Sequence, residues 1–521
     1  MACTTILVGK RASYNGSTII ARNEDSPNNE YNPKKLVVVH PDEQPRHYRS
    51  VISRVEIDLP DNPERYTSMP NAVAGQGIWG EAGVNESQVA MSATETLTTN
   101  ERVLGADPFV ELVPAKGQPG EEGYVPEVPG GIGEEDFLTI VLPYVKTARE
   151  GVLRLGKLLE RYGTYEMNGT AFSDADEIWW METVGGHHWI ARRVPDDCYV
   201  TMPNQLGIDY FDLDDALGEQ RDFMCSADLR EWMAQNHLDL TLAEQWGADG
   251  PLGGRGADGV CSRFNPREAF GSHSERDHVY NTCRAWYMQR CLNPSDDWDG
   301  PDAEFGPESD DLPWCRVPER KLTMEDVKDV LSSHYEGTPF DPYGELGTVE
   351  QRRRYRTIGI NRQSELAAMQ IRPYGPAATR GVEWLTYGSN PFNTLVPFYT
   401  EVGDTPAYLR DTTARVTTES FYWANRLVAA LADARHNDNE NTIGTYRERT
   451  MAFGHRVLRE TDAAVAGLEE RGASEAEVRG ALEAANRRIA DELREETDGL
   501  LDRVLYTTSM HMRNAFSLSD H

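Results

Sequence analysis

The sequence predicts an α+β fold with a helical C-terminal extension. Three observations lead there. Short β-branched runs fill the first hundred residues, and one stretch of helical periodicity at 137–163 is followed by a return to strands. From about residue 414 the chain becomes rich in Ala, Glu, Leu and Arg at helical spacing. Strands, then helix, then strands differs from the strict alternation of a parallel α/β sheet. No repeat of fixed period is present.

The first 25 residues read as a β-hairpin, with TTILVG and STIIAR as its arms and Asn15-Gly16 supplying the positive φ that a tight turn needs. A strict two-residue turn sets Cys3 opposite Asn28, and a wider loop or bulge brings it nearer Asn23. Either way ARNED, residues 21–25, returns to the neighbourhood of Cys3. KLVVVH (35–40), VISRVEIDL (51–59) and QVAMSATET (88–96) are further strand candidates. Residues 117–135 form a Gly- and Pro-rich acidic loop, and 137–163 a helix. EIWWMETVGGHHWIARRV turns at Gly185-Gly186, and CYVTM follows as a strand. Residues 293–320 read as a surface loop and 324–333 as a short helix, with TIGINR and AAMQIRP as another strand pair. In the tail, Ser474 and Glu477 fit a capping box. The tail is a helical cover on the core, a solvated charged helix or the contact of a homo-oligomer.

The net charge of -33 argues against a nucleic-acid or anionic-membrane partner, since phosphates would be repelled. Eight Lys stand against forty-four Arg. No run approaches the roughly 18 apolar residues of a membrane span, and no signal peptide is recognisable, so a cytoplasmic location is expected. The seven cysteines are irregularly spaced with no C-x-x-C, which disfavours a disulfide framework or a zinc site.

Cys3 is either a buried structural thiol or a nucleophile. A cysteine at a mature N-terminus carries its own base, because the α-amino group has a pKa near ~8. That chemistry requires Met1 and Ala2 to leave, by self-cleavage or by another peptidase. ARNED offers a cation for the thiolate in Arg22 and a carboxylate for the amine in Asp25.

CTTILVGKRASYNGSTIIARNEDS resembles the opening of the dipeptidase A family of N-terminal-nucleophile hydrolases and, more remotely, the penicillin V acylases and bile salt hydrolases. GVNESQVAMSATET, YVTMPNQL, YNTCRAWYMQR, LSSHYEGTPFDPYGE, INRQSELAAMQIRP and TTESFYWANRLVAAL continue the likeness to about residue 430. The resemblance implies an αββα sandwich of two antiparallel sheets, with residues 1–2 as propeptide, 3–413 as the hydrolase domain and 414–521 as the helical region. It implies a cysteine-dependent dipeptidase of broad specificity, acting on small peptides without metal or other cofactor. Cys3 is then the nucleophile, Asp25 orients its freed amine and Arg22 favours the thiolate. Asn204 matches an oxyanion or substrate asparagine, and Arg284 a later active-site arginine, for which Arg263 is the other candidate. Counting from Asn85, itself a substrate-side candidate, the acylase oxyanion asparagine falls on Glu95. A carboxylate there suits the free amino group of a peptide. An acylase of non-peptide amides and an inactive binding or scaffold protein are the alternatives.

Other motifs read more plainly. His187-His188 is a polar pair beside a turn rather than a metal pair, because adjacent strand residues point to opposite faces. The acidic run at 209–217 suits helix capping better than calcium. GPLGGRGADG (250–259) lacks the P-loop Lys-Ser/Thr and reads as a mobile loop over the site. SFYWANR (420–426) reads as core.

Overall fold

The structure, a computed structural model, describes residues 2–27, 30–242 and 256–514, with residues 2 and 93–95 described by backbone alone. It is a mixed α and β protein with two large antiparallel sheets and a helical C-terminal region.

In chain order the strands of the two sheets are β1 (Ala2–Val8), β2 (Thr18–Asp25), β3 (Ala82–Val84), β4 (Ala90–Thr96), β5 (Asn168–Ser173), β6 (Ile178–Thr183), β7 (Trp189–Arg193), β8 (Tyr199–Met202), β9 (Phe223–Cys225), β10 (Cys315–Arg316), β11 (Gln363–Ile371), β12 (Gly381–Tyr387) and β13 (Val396–Tyr399). The seven-stranded sheet runs β10-β8-β1-β2-β11-β12-β13, and the six-stranded sheet runs β9-β7-β6-β5-β4-β3. The main helices are α1 (Glu134–Val141), α2 (Ala148–Tyr162), α3 (Cys283–Leu292), α4 (Met324–Ser332), α5 (Phe421–Ala432), α6 (His436–Glu470) and α7 (Glu475–Ser509).

Strands β1, β2 and β11 pack against β3, β4 and β5, so the two sheets lie face to face. Helices α1 and α2 cover the outer face of the six-stranded sheet, while α3, α4 and α5 lie against the seven-stranded one. Period-two alternation decides which residue serves which layer. Along β6, Ile178 and Trp180 join the apolar cluster between the sheets, and Trp179 and Met181 join the one under α1 and α2. Each of these side chains is essentially inaccessible, which stabilises the fold by about 2–3 kcal/mol apiece. Helix α2 comes close enough that a Cβ on Gly151 would sit 2.3 Å from the Phe172 ring.

Three expected elements differ. Within the expected surface loop 293–320, Cys315 and Arg316 form the edge strand β10. The helical stretch at 137–163 is two helices, separated by a short 3-10 turn at Leu142–Tyr144. Pro143 explains the break, since it has no N–H to donate and its ring crowds the preceding turn. TIGINR is not a strand. Its residues form turns, and the strand begins at Gln363, pairing with β2 and β12.

Helices α6 and α7, 35 residues each, form an antiparallel pair against the edge strand β13, and their buried residues belong to the same cluster as the sheet. Ser474 and Glu477 form the expected capping box at the start of α7. Tyr399 N donates to Asn486 Oδ1 at 2.9 Å, and Asn486 Nδ2 donates back to Tyr399 O at 2.9 Å. Among the described residues no helix is long and apolar enough to cross a membrane.

Candidate active site

Cys3 sits near the start of the central strand β1. The β1–β2 register pairs Cys3 with Glu24, Thr5 with Arg22 and Ala2 with Asp25, one residue from the Asn23 pairing expected of a wide loop. Directly opposed residues share a face. Cys3, Thr5, Arg22 and Glu24 therefore face one way, and Thr4, Asn23 and Asp25 the other. Asn23 donates to Leu331 O on α4 at 2.7 Å, which marks its side as the helix layer and turns Cys3 toward the six-stranded sheet.

On the other flank, β1 pairs with β8 through Thr5 and Met202. Continuing that register past Pro203 brings Asn204 level with Cys3. Cys3 N donates to Asn204 Oδ1 at 3.2 Å, and Asn204 Nδ2 donates to Thr96 O at 2.8 Å.

Arg22 reaches the sulfur, with Nη1 3.2 Å from Cys3 Sγ and 3.4 Å from Glu134 Oε1, while Nη2 pairs with Glu81. Burial opposes the charge of Arg22, but Cys3, Glu81, Glu134 and Glu24 outweigh it and hold its pKa well above the usual value. Behind this pair lies Lys34, whose Nζ is 2.8 Å from Glu24 Oε2 and 3.2 Å from Glu81 Oε1. Burial first, and then Glu81, push Glu24 up to about 8 against the pull of Lys34 and Arg22. Burial likewise drives Glu365, its partner across β11, well above the carboxylate range.

Arg284 lies on the helix side and is fully buried. It donates to Cys3 O, to Thr4 Oγ1 at 2.7 Å, to Asn204 Oδ1 at 2.7 Å, to Asn281 Oδ1 at 2.7 Å and to Tyr280 O at 2.9 Å. The last two partners come from a π-helical turn, His278–Thr282, just before α3. Such wide turns recur at functional sites. Arg263, the other candidate, is 44% exposed and pairs with Asp212 at 2.9 Å, so the arginine brought to Cys3 is Arg284.

Asp25 pairs with Arg356, and its Oδ1 is buried with no hydrogen-bond partner among the described residues. Burial and the neighbouring Arg362 push Arg356 down to about 9. The Tyr280 ring lies 5.4 Å from the Arg284 guanidinium and 5.2 Å from that of Arg356. Arg356, Glu81, Lys34 and Glu134 did not emerge from the sequence. The one signal available was Lys34 itself, one of only eight lysines.

Of the two substrate-side candidates, Asn85 makes its bonds away from this cluster. Asn85 donates to Leu142 O at 2.9 Å and Val145 O at 2.7 Å and accepts from Val89 N at 2.9 Å. That set of bonds clamps the β3–β4 turn to the end of α1. Glu95 lies on β4 opposite Gly169, and its side chain is outside the described residues. Residues 250–255 of the glycine-rich loop are also outside them.

The remaining motifs are structural. His187 and His188 both hold Asp107, at 3.0 and 2.8 Å. Burial works against the Asp107 charge, but those bonds, with the backbone N–H groups of both histidines, keep its carboxyl well below the usual range. Asp212 caps the short helix Leu213–Ala216, and Phe421 and Tyr422 are core. No group of three or more His, Cys, Asp or Glu suited to a metal occurs among the described residues.

The chemistry available is that of a buried thiol beside a guanidinium, on a strand whose backbone is gripped by an asparagine and a second arginine. The chain is 62% identical to the "Dipeptidase" of Bifidobacterium longum (strain NCC 2705), over the full length of both. It is 51% identical over the full length of both to a "Probable dipeptidase A" of Streptococcus pyogenes serotype M3, and 42% identical to the "Dipeptidase A" of Lactobacillus helveticus over 96% of each chain. The family model "Peptidase family C69" matches residues 2–449, and the chain belongs to that family of peptidases.

Proposed function

We propose that this peptidase is a cysteine dipeptidase in which Cys3 is the nucleophile. The observation that carries the reading is the Arg22 guanidinium 3.2 Å from Cys3 Sγ, in a cluster that also grips the Cys3 backbone. The names of the relatives supply the substrate class, dipeptides. In this reading the two facing sheets with their outer helices are the αββα sandwich of the N-terminal-nucleophile hydrolases, and Met1-Ala2 is a propeptide.

Once Ala2 is removed, the Cys3 nitrogen becomes a primary amine. Asp25 Oδ1, buried without a partner, is the acceptor that orients it. The amine takes the thiol proton, and Sγ attacks the peptide carbonyl. The Asn204 amide and nearby backbone donors hold the developing oxyanion. The ammonium returns its proton to the leaving amine, the C–N bond breaks, and a thioester remains. The same amine then deprotonates a water, which releases the acid and restores the thiol.

Intact mass and a Cys3→Ser variant test this together. The active enzyme is expected to begin at Cys3, and Cys3→Ser to lower kcat for a dipeptide at least about 10³-fold. A fully active chain still carrying Met1 or Ala2 overturns the amine as base, and an active Cys3→Ser enzyme overturns the nucleophile.

A further inference from the structure

Arg22 would be a poor activator if its charge were spent on its own counter-ion. An Arg–Glu pair presents a weaker field to a sulfur beside it than a lone guanidinium does, and Arg22 is paired with Glu81 on the side away from Cys3. Glu81, however, is shared. Its Oε2 takes Arg22 and its Oε1 takes Lys34 at 3.2 Å, and both Glu81 and Lys34 are fully buried. The backbone of Glu81 has φ 62°, a left-handed conformation that a residue with a side chain keeps only where its surroundings demand it. Lys34 supplies part of that demand. Its backbone bridges Asn71 and its ammonium donates to Trp79 O at 3.3 Å, so it ties down both ends of the 71–81 segment that delivers Glu81.

We propose that Lys34 is a positioning residue for the nucleophile: held on the second oxygen of Glu81, it fixes that carboxylate and offsets part of its charge, so that Arg22 keeps more of its positive field for Cys3. The inference rests on the reading of Cys3 as nucleophile.

The charged groups around both ends are few. Facing Cys3 are Arg22 and Glu24 from β2 and Glu134 from α1, with Arg284 on its carbonyl and Arg356, paired with Asp25, acting from the helix side. Facing Lys34 are Glu24, Glu81 and Glu365, with Tyr422 of α5 nearby. Glu24 and Glu365 oppose each other across β2 and β11, and burial raises both carboxyls. Lys34 lies 2.8 Å from Glu24 and 3.2 Å from Glu81, so its ammonium is shared between the two carboxyls, and Glu81 is the one that also holds Arg22.

The test separates charge from packing at position 34. The pH dependence of Cys3 alkylation by iodoacetamide, read by mass on the N-terminal peptide, is measured for the wild type and for Lys34→Met, Lys34→Gln and Lys34→Arg. Loss of a cation at this range raises the thiol midpoint by about one pH unit. Lys34→Met and Lys34→Gln are both expected to show that rise, with kcat lower about tenfold and KM nearly unchanged. Lys34→Arg is expected to return both to near the wild-type values. If Lys34→Met does not fold, the Gln and Arg pair carries the test. A wild-type midpoint in Lys34→Gln, or a full shift in Lys34→Arg, overturns the proposal. Should Cys3→Ser retain dipeptidase activity, the nucleophile reading fails first. An inactive Cys3→Ser with an unshifted Lys34→Gln removes the role of Lys34 alone.

Discussion

Replacing Arg284 by lysine probes the grip on β1 from the helix side. The guanidinium serves five acceptors, Cys3 O, Thr4 Oγ1, Asn204 Oδ1, Asn281 Oδ1 and Tyr280 O, from three nitrogens spread over a rigid plane. A lysine ammonium has three donors on one atom, so at least two of those acceptors lose the bond from residue 284, and of the five only Asn204 Oδ1 keeps the donor named above, Cys3 N. All of them are buried or half-buried, and each buried acceptor left unpaired costs about 1–3 kcal/mol. The expected loss of stability is about 2–4 kcal/mol. Asn204 and the Cys3 carbonyl also lose their common anchor, and misplacement on the ångström scale costs about 10²-fold in rate. The assay pairs a thermal midpoint with kcat/KM on a dipeptide. A variant with a lowered midpoint and wild-type kcat/KM would refute the step from clamp to chemistry. One unchanged in both would refute the clamp itself.

Two more outcomes follow from buried polar groups. Asn85→Ala removes three bonds to backbone and is expected to lower the thermal midpoint while leaving KM for dipeptides within twofold; a tenfold rise in KM at wild-type stability would instead assign it to substrate binding. Burial pushes the Glu383 carboxyl up to about 8, with Thr67 the opposing hydrogen bond. A carboxyl raised in this way stabilises fully below its unfolded value near ~4.3, and its contribution is lost as pH rises toward 8. Glu383→Gln is therefore expected to melt a few degrees above the wild type at pH 8 and to show no advantage at pH 4.5, and equal midpoints at both pH values would contradict it.

What the sequence could show was what lies along it. Cys3 and Arg22 are joined by one hairpin, and β-branched arms with Asn15-Gly16 between them are enough to bring them together. The capping box of α7 and the Asp212 cap are legible because a cap is a local bond between a side chain and N–H groups two or three residues on. Arg284 was reached only through resemblance, since nothing near it in the chain hints that its plane ends on the backbone of Cys3. The register was left between two alternatives because nine residues, Gly9–Ser17, separate the strands, and the wider loop rather than a two-residue turn sets the pairing near Asn23. Arg356 meets Asp25 across more than three hundred residues, and Glu81 meets Arg22 through a left-handed turn between two short strands. Such pairings are made by sheet order, which no local pattern encodes. The break at Pro143 was there to be read, but the apolar periodicity on either side masked it.

The carboxamide of Asn486 answers the backbone of Tyr399 as another strand would, donor for acceptor and acceptor for donor. Strand β13 is the last of its sheet, and its sequence VPFY is one that an exposed border would offer to any passing chain. Pro397 already removes one donor from that border, and Asn486 occupies the pair beside it. The long C-terminal hairpin of helices thus acts as a selvedge, finishing the woven edge so that the sheet neither frays nor takes on further threads.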